Sequence, residues 1–206
     1  FGKTYSVTHS LYTEKNEPET GVVYAVGADL SGRNFDNLNL QNAVFDKADL
    51  SNTSFKNANI DGARFVFADL DNSNLLDRTN LSDVNLVGID LSNISLKGKD
   101  LTGANLSFAD LSEHDLTGTN LTGVNLSHTK LSNVSLKGKD LTGANLSFAD
   151  LSEHDLTGTN LSNSILWRTN LSGIDLSSAT ITNVVSRYAN LSESKLPDSL
   201  ANNNFN

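Results

Sequence analysis

The chain has no cysteine, no methionine, one tryptophan and two prolines among its 206 residues. Without cysteine a disulfide framework, a thiolate zinc site and a cysteine nucleophile are all excluded. Long apolar stretches are missing too: the longest, 22–26, is far too short to cross a bilayer as a helix. Base is scarce beside acid, with 15 Lys and Arg against 24 Asp and Glu. That balance argues against direct binding to nucleic acid or to an anionic membrane. A hydrophobic content of 37% excludes a disordered chain. The chain starts at Phe1 and holds no methionine, which reads as a fragment or processed product of a larger, bacterial protein.

What is present is a repeat. An apolar residue recurs every five positions from Leu30 through Phe35, Leu40, Phe45 and onward to Leu75. One extra residue near 76 shifts the register, and the series runs on from Leu81 to Leu196. Of 34 such positions only Ser186 is not Leu, Ile or Phe, and Asp or Asn precedes the central residue in 24. A period of five matches neither 3.6 nor 2, so no continuous helix or flat strand keeps these residues on one face.

A chain that turns a corner every five residues does. Along each short extended side the residues alternate, so the central residue points inward, its two neighbours outward, and the residue two before it inward again. Four sides close a square coil of 20 residues, stacked about 4.8 Å above the next. Small residues belong at the crowded inner corner, where Ala28, Ala43, Ala48, Ala58, Ala63, Ala68, Ala104, Ala109, Ala144 and Ala149 fall. Ser, Thr, Asn and Gly fill the outer and turning places.

This order of small residue, Asp or Asn, Leu or Phe, Ser or Thr, and a variable fifth resembles the pentapeptide-repeat family from about Ala28 to Leu196. The resemblance implies an all-β fold, a right-handed quadrilateral β-helix, here of about eight coils; the handedness comes from the family. Three segments are expected: a β-hairpin cap over 1–27, the solenoid over 28–196, and a C-terminal cap with a polar tail over 197–206. Residues 91–121 and 131–161 are identical except for Ile94 and Val134, a spacing of 40 that equals two coils. It reads as a duplication, natural or engineered, of a kind repeat proteins tolerate.

Counting in twenties aligns chemistry. One side carries Asp29, Asp49, Asp69, Asp90 and Asp110, then Lys130, Asp150, Asn170 and Asn190. The stripe Asp29, Asp49, Asp69, Asp90, Asp110 and Asp150 is the candidate protein-contact surface. The competing reading gives these oxygens to backbone amides at the turns. Another side carries Asn39, Asn59, Asn80, Asp100, Asn120, Asp140 and Asn160, an expected amide ladder. Phe35 should stack under Phe55 and Phe45 under Phe65, thickening the core. Lys99, His114, Lys139 and His154 fall inward, where small or apolar residues belong; the lysines should snorkel and the imidazoles lie half covered. Alternation sends His114 and Asp115 opposite ways, which argues against a metal or acid/base site at Glu113-His114-Asp115 or its copy Glu153-His154-Asp155. Trp167, outward beside Arg168, is a candidate contact residue.

No catalytic residue, metal or cofactor is expected. The unbroken five-residue phase leaves no loops for a polysaccharide-cleaving groove. The reading is a non-enzymatic scaffold or interaction module whose protein partner the sequence does not name. The alternative is a DNA mimic acting on a type II topoisomerase, because some members of the family that the chain resembles bind that enzyme in place of DNA. A homodimer is left open but unsupported: the tail after Leu196 offers no clear apolar face for it.

Overall fold

In the computed structural model, residues 22–198 other than Asn93 are described. The period of five places one turn between each short side and the next. The N–H of the residue three after each central one donates to the central carbonyl, as from Ala104 to Leu101 at 3.0 Å and Ala144 to Leu141 at 2.9 Å. The residue closing that turn has a left-handed φ, such as 65° at Gly103 and 57° at Asn52. A positive φ there is the mark of a type II turn, which Gly and Asn adopt most easily. The short sides pair in parallel with the coils above and below: Asp29 with Asp49, Asn39 with Asn59, Asn105 with Asn125, Asp150 with Asn170. Four walls result, numbered here by their first regular central residues: wall one from Leu30, wall two from Phe35, wall three from Leu40, wall four from Phe45.

The square cross-section is confirmed by the inner columns. Leu101, Leu121 and Leu141 are each buried on successive coils of wall three. Phe35 stacks on Phe55 at 4.9 Å on wall two, and Phe45 on Phe65 at 5.3 Å on wall four. Their rings also meet edge to face across the interior, Phe35 to Phe45 at 5.8 Å. Such contacts add about 0.5–1.5 kcal/mol each beyond burial. The solenoid begins before the expected boundary at 28. Tyr24 pairs with Val44, Ala25 is buried, and Gly27 already turns a corner at φ 65°. The run 22–26 is therefore a side of the first coil rather than a hairpin strand; the rest of the expected cap, and the tail from 199, lie outside the described residues.

The extra residue forms a 3-10 helix, Leu75–Asp77, that buries both Leu75 and Leu76. Across it the pairing steps by 21, Arg64 with Asn85. Three side chains repair the broken ladder. Asn74 Oδ1 accepts the Phe55 N–H at 2.7 Å. The Arg78 guanidinium donates to the Ala58 carbonyl at 2.7 Å. Lys99 Nζ donates to the Leu76 and Arg78 carbonyls at 2.7 and 2.9 Å. Lys99 therefore does not snorkel: it is only 7% exposed. Burial lowers its pKa, a shift that the charge of Asp77 opposes.

Candidate functional site

Each Asp of the stripe has a local task. Its Oδ1 accepts the N–H two residues on: Ser31 to Asp29 at 3.1 Å, Ser51 to Asp49 at 2.9 Å, Asp71 to Asp69 at 2.9 Å. The same bond joins Ser92 to Asp90 at 2.9 Å, Ser112 to Asp110 at 3.1 Å and Ser152 to Asp150 at 3.0 Å. These Asx turns hold the corner from inside each side. One oxygen per residue is thus used by the fold, and the carboxylate still faces outward. Bonds from Ser31 hold the Asp29 pKa down, and bonds from Ser92 do the same for Asp90. Asp110 is lowered to about 2, first by Lys130 and then by Ser112. Lys130 Nζ sits 3.0 Å from Asp110 and interrupts the stripe.

The structure brings Asp29, Asp49 and Asp69 together as consecutive rungs, and puts Lys130 after Asp110 and Asn170 after Asp150. Around the stripe, wall one gathers more acid than the stripe alone: Asp71, Glu113, Glu153 and Glu193 share it, and Lys130 is its one base. Walls two and three mix both signs. Wall four, from 43 to 188, has one carboxylate, Asp46, against Lys47, Arg64, Arg168 and Arg187. Asp46 is bound to Arg64 at 2.6 Å. The acid excess therefore lies on one side of the square.

Wall three forms no continuous amide ladder. Asn59, Asn80, Asn120 and Asn160 accept the N–H two residues on, as Asp61 to Asn59 at 3.0 Å and Ser162 to Asn160 at 3.0 Å. Amide bonds between coils occur instead elsewhere, as from Asn190 to Asn170 at 3.0 Å. Side chains that look misplaced in the sequence reach the carbonyl of a central residue 23 positions back. The His114 and His154 imidazoles meet Leu91 and Leu131 carbonyls, each at 3.0 Å. Thr119 and Thr159 hydroxyls donate likewise to Leu96 and Leu136. Lys139 Nζ donates to Leu116. Glu113 meets Asn133, His114 turns in, and Asp115 pairs with Lys97 at 3.1 Å, so the three side chains diverge. Among the described residues no group of three or more His, Asp or Glu could hold a metal ion, and no helix is long and apolar enough to cross a membrane.

One feature escaped the linear reading. At the corner leaving wall four, the turning residue carries a long or bulky side chain on seven coils: Lys47, Phe67, Phe108, His128, Phe148, Arg168 and Tyr188, all at φ between 54° and 65°. The Phe67 ring lies over Gly88, where an added Cβ would come within 2.2 Å of it. Phe108 stacks on His128 at 4.6 Å and His128 on Phe148 at 4.2 Å. Trp167 is half-buried, its ring edge-on to Phe148 at 4.7 Å.

Pentapeptide repeats, in 8 copies, match residues 26–60, 39–75, 100–138 and 140–177. Among solved structures the chain is similar to HetL, a pentapeptide repeat protein involved in heterocyst differentiation regulation from the cyanobacterium Nostoc sp. strain PCC 7120. The identity is 23% over 85% of this chain and 88% of that one, with a TM-score of 0.34. It is also similar to QnrB1, a plasmid-mediated fluoroquinolone resistance protein, at 19% identity over 86% and 93% of the two chains, TM-score 0.26. A third, the pentapeptide repeat protein alr5209 from Nostoc, is 31% identical over 52% of this chain and 78% of that one, TM-score 0.26. No curated protein matches. With eight repeat copies over most of its length, coils of 20 residues and four stacked walls, the chain belongs to the pentapeptide repeat family and folds as a right-handed quadrilateral β-helix.

Proposed function

We propose that the chain is a binding scaffold without catalytic chemistry, and that wall one engages a basic surface of another protein. The charge distribution carries this reading. Ten carboxylates and one lysine share a wall that runs eight coil steps from Leu30 to Leu191. At about 4.8 Å per step it is ~38 Å long, close to one negative charge per ~4 Å. A single DNA strand has one per about 3.4 Å. Rigid presentation adds selectivity, because the Asx turns fix the six Asp carboxylates of the stripe before a partner arrives.

Replacing Asp49, Asp69, Asp90 and Asp110 by Asn tests it, since Asn preserves the Asx turn and removes the charge. Proteins captured by the native chain at low salt and identified by mass spectrometry should be basic and should disappear with the variant. An unchanged set sinks the reading. The same spacing favours a second reading, DNA mimicry toward a type II topoisomerase. Wall four, being basic, opposes it, because a mimic of duplex DNA needs charge on more than one side. Gyrase supercoiling assayed with micromolar excess of the chain decides between the two, and no inhibition removes mimicry.

A further inference from the structure

On the other three corners, among the described residues, those with left-handed φ are Gly and Asn, with only Asp83, Glu113 and Glu193 besides. A bulky side chain in that region costs about 1–2 kcal/mol, and strained backbone gathers where a side chain has work to do. Along the middle of the column the rings stack face to face, nearly parallel at 6° and 17°. His128 has a ring on each face, whereas Phe108 stacks through one face only and is 63% exposed.

The column changes character on the last two coils. Arg168 takes a ring's place, its guanidinium 5.1 Å from the centre of Trp167, 5.8 Å from Tyr188 and 5.9 Å from Phe148. Arg187 lies 5.0 Å from Tyr188. On the flat of the same wall Asn85, Asn105, Asn125 and Asn145 give way to Ile165 and Val185, 38% and 53% exposed. Trp, Tyr and Arg are the residues that dominate binding hot spots. A guanidinium stacked on rings is already ordered, and its in-plane N–H groups stay free for a bidentate carboxylate.

Charge selects the occupant. Among the described residues neither Arg168 nor Arg187 has an ion pair, and the wall's own carboxylate, Asp46, lies far along the wall from them and is held by Arg64 on the adjacent coil. The neighbouring rungs of wall one at this height are the uncharged Asn170 and Asn190, and Glu193 is the one carboxylate that wall one carries on these two coils. We propose that Ile165, Trp167, Arg168, Val185, Arg187 and Tyr188 form a docking site for an acidic segment of a partner protein. Its carboxylates would meet the two guanidiniums and its apolar side chains Ile165 and Val185. A nucleic acid, a uniformly charged polyanion bound mainly through its phosphates, would leave the exposed Ile165 and Val185 without apolar partners.

The variant that tests this borrows from the coils below: Ile165→Asn, Trp167→Ser, Arg168→Gly, Arg187→Ser and Tyr188→Gly restore the residue types at 145, 147, 88, 127 and 88. It should melt at or above the native temperature, which separates lost binding from lost folding. A random twelve-residue peptide display library is panned on the full chain and counter-selected on this variant. Peptides specific to the native wall should be net acidic, with at least two Asp or Glu beside an aliphatic or aromatic residue. A labelled peptide from that set should bind at least tenfold more weakly to Arg168→Gly/Arg187→Ser. It should bind unchanged to the wall-one Asp→Asn variant, so failure here is distinct from failure of the acidic wall. Four outcomes overturn the proposal: no peptide that discriminates, discriminating peptides that are neutral or basic, single-stranded RNA that binds in their place, or self-association in sedimentation that the variant abolishes.

Discussion

Residues 91–121 and 131–161 share one sequence but for Ile94 and Val134, and they do not make the same contacts. Lys99 sits above the register slip and is the hydrogen-bond donor to two carbonyls, Leu76 and Arg78, that the backbone ladder leaves free. Lys139, its copy, sits above a regular coil and reaches the Leu116 carbonyl, which already accepts the Thr119 N–H at 3.0 Å. His114 places Nδ1 3.2 Å from the Ser112 carbonyl as well as Nε2 near Leu91. His154 has only the Leu131 contact, and its buried Nδ1 has no partner. In a solenoid the coil's own residues set its shape, and the coil beneath decides what an inward polar group does.

The largest effect expected from that difference is on the lysines. Leaving a buried carbonyl unpaired costs about 1–3 kcal/mol. Lys99→Ala should therefore lower stability by about 3 kcal/mol and Lys139→Ala by about 1 kcal/mol or less, read from urea midpoints at constant slope. In a chain lacking Leu76 the two substitutions should become alike, because the extra residue is what frees the carbonyls. Equal losses in the native background would break the comparison.

The histidines should differ in sign. The coils next to them hold Ile94, Val134 and Ile174 at the same inner position, so isoleucine fits. His154→Ile removes an orphaned ring nitrogen and should raise stability by about 1 kcal/mol, whereas His114→Ile loses two contacts and should lower it by about as much. Thermal unfolding of both variants checks this, and a gain at 114 would refute it.

The smallest effect should be common to both copies. Asp115 is held at about 2, first by the Thr117 hydroxyl, then by its amide and Lys97. Asp155 is also lowered, first by Lys137 and then by Thr157. Folded pKa values below the ordinary 3.8 stabilise the native state above about pH 4, and that contribution is lost as pH falls toward 2. Both pairs are exposed, so the loss should be slight and screened by salt. Asp115→Asn and Asp155→Asn should each flatten the same stretch of the urea midpoint against pH. A response from one copy alone would show that its coil context reaches the surface too.

Much of this was readable in advance. The period of five, the step of 20 and the inward Leu and Phe columns define the square, and the competing view of the Asp stripe as turn chemistry describes what each Oδ1 does. The slip was visible as one surplus residue, but its repair was not. Lys99 lies 23 residues from Leu76, and it looks misplaced until the carbonyls freed below it are known. The aromatic corner did leave a signal. Aligning the turning residues coil by coil puts mostly Gly and Asn, with a few acids such as Asp83, Glu113 and Glu193, on three corners, and Lys47, Phe67, Phe108, His128, Phe148, Arg168 and Tyr188 on the fourth. It sits at the variable fifth position of the repeat, where the period itself dictates no residue type. Trp167 was placed outward correctly by alternation, yet nothing in the period foretells that its ring leans on Phe148 while Arg168 covers it.

Forty residues are two whole circuits of the square. Gaining or losing such a block lengthens or shortens the rod by about 9.6 Å and returns every downstream side chain to its former bearing. Reach and chemistry are thereby uncoupled: the protein is a ruler whose markings keep their orientation at any length.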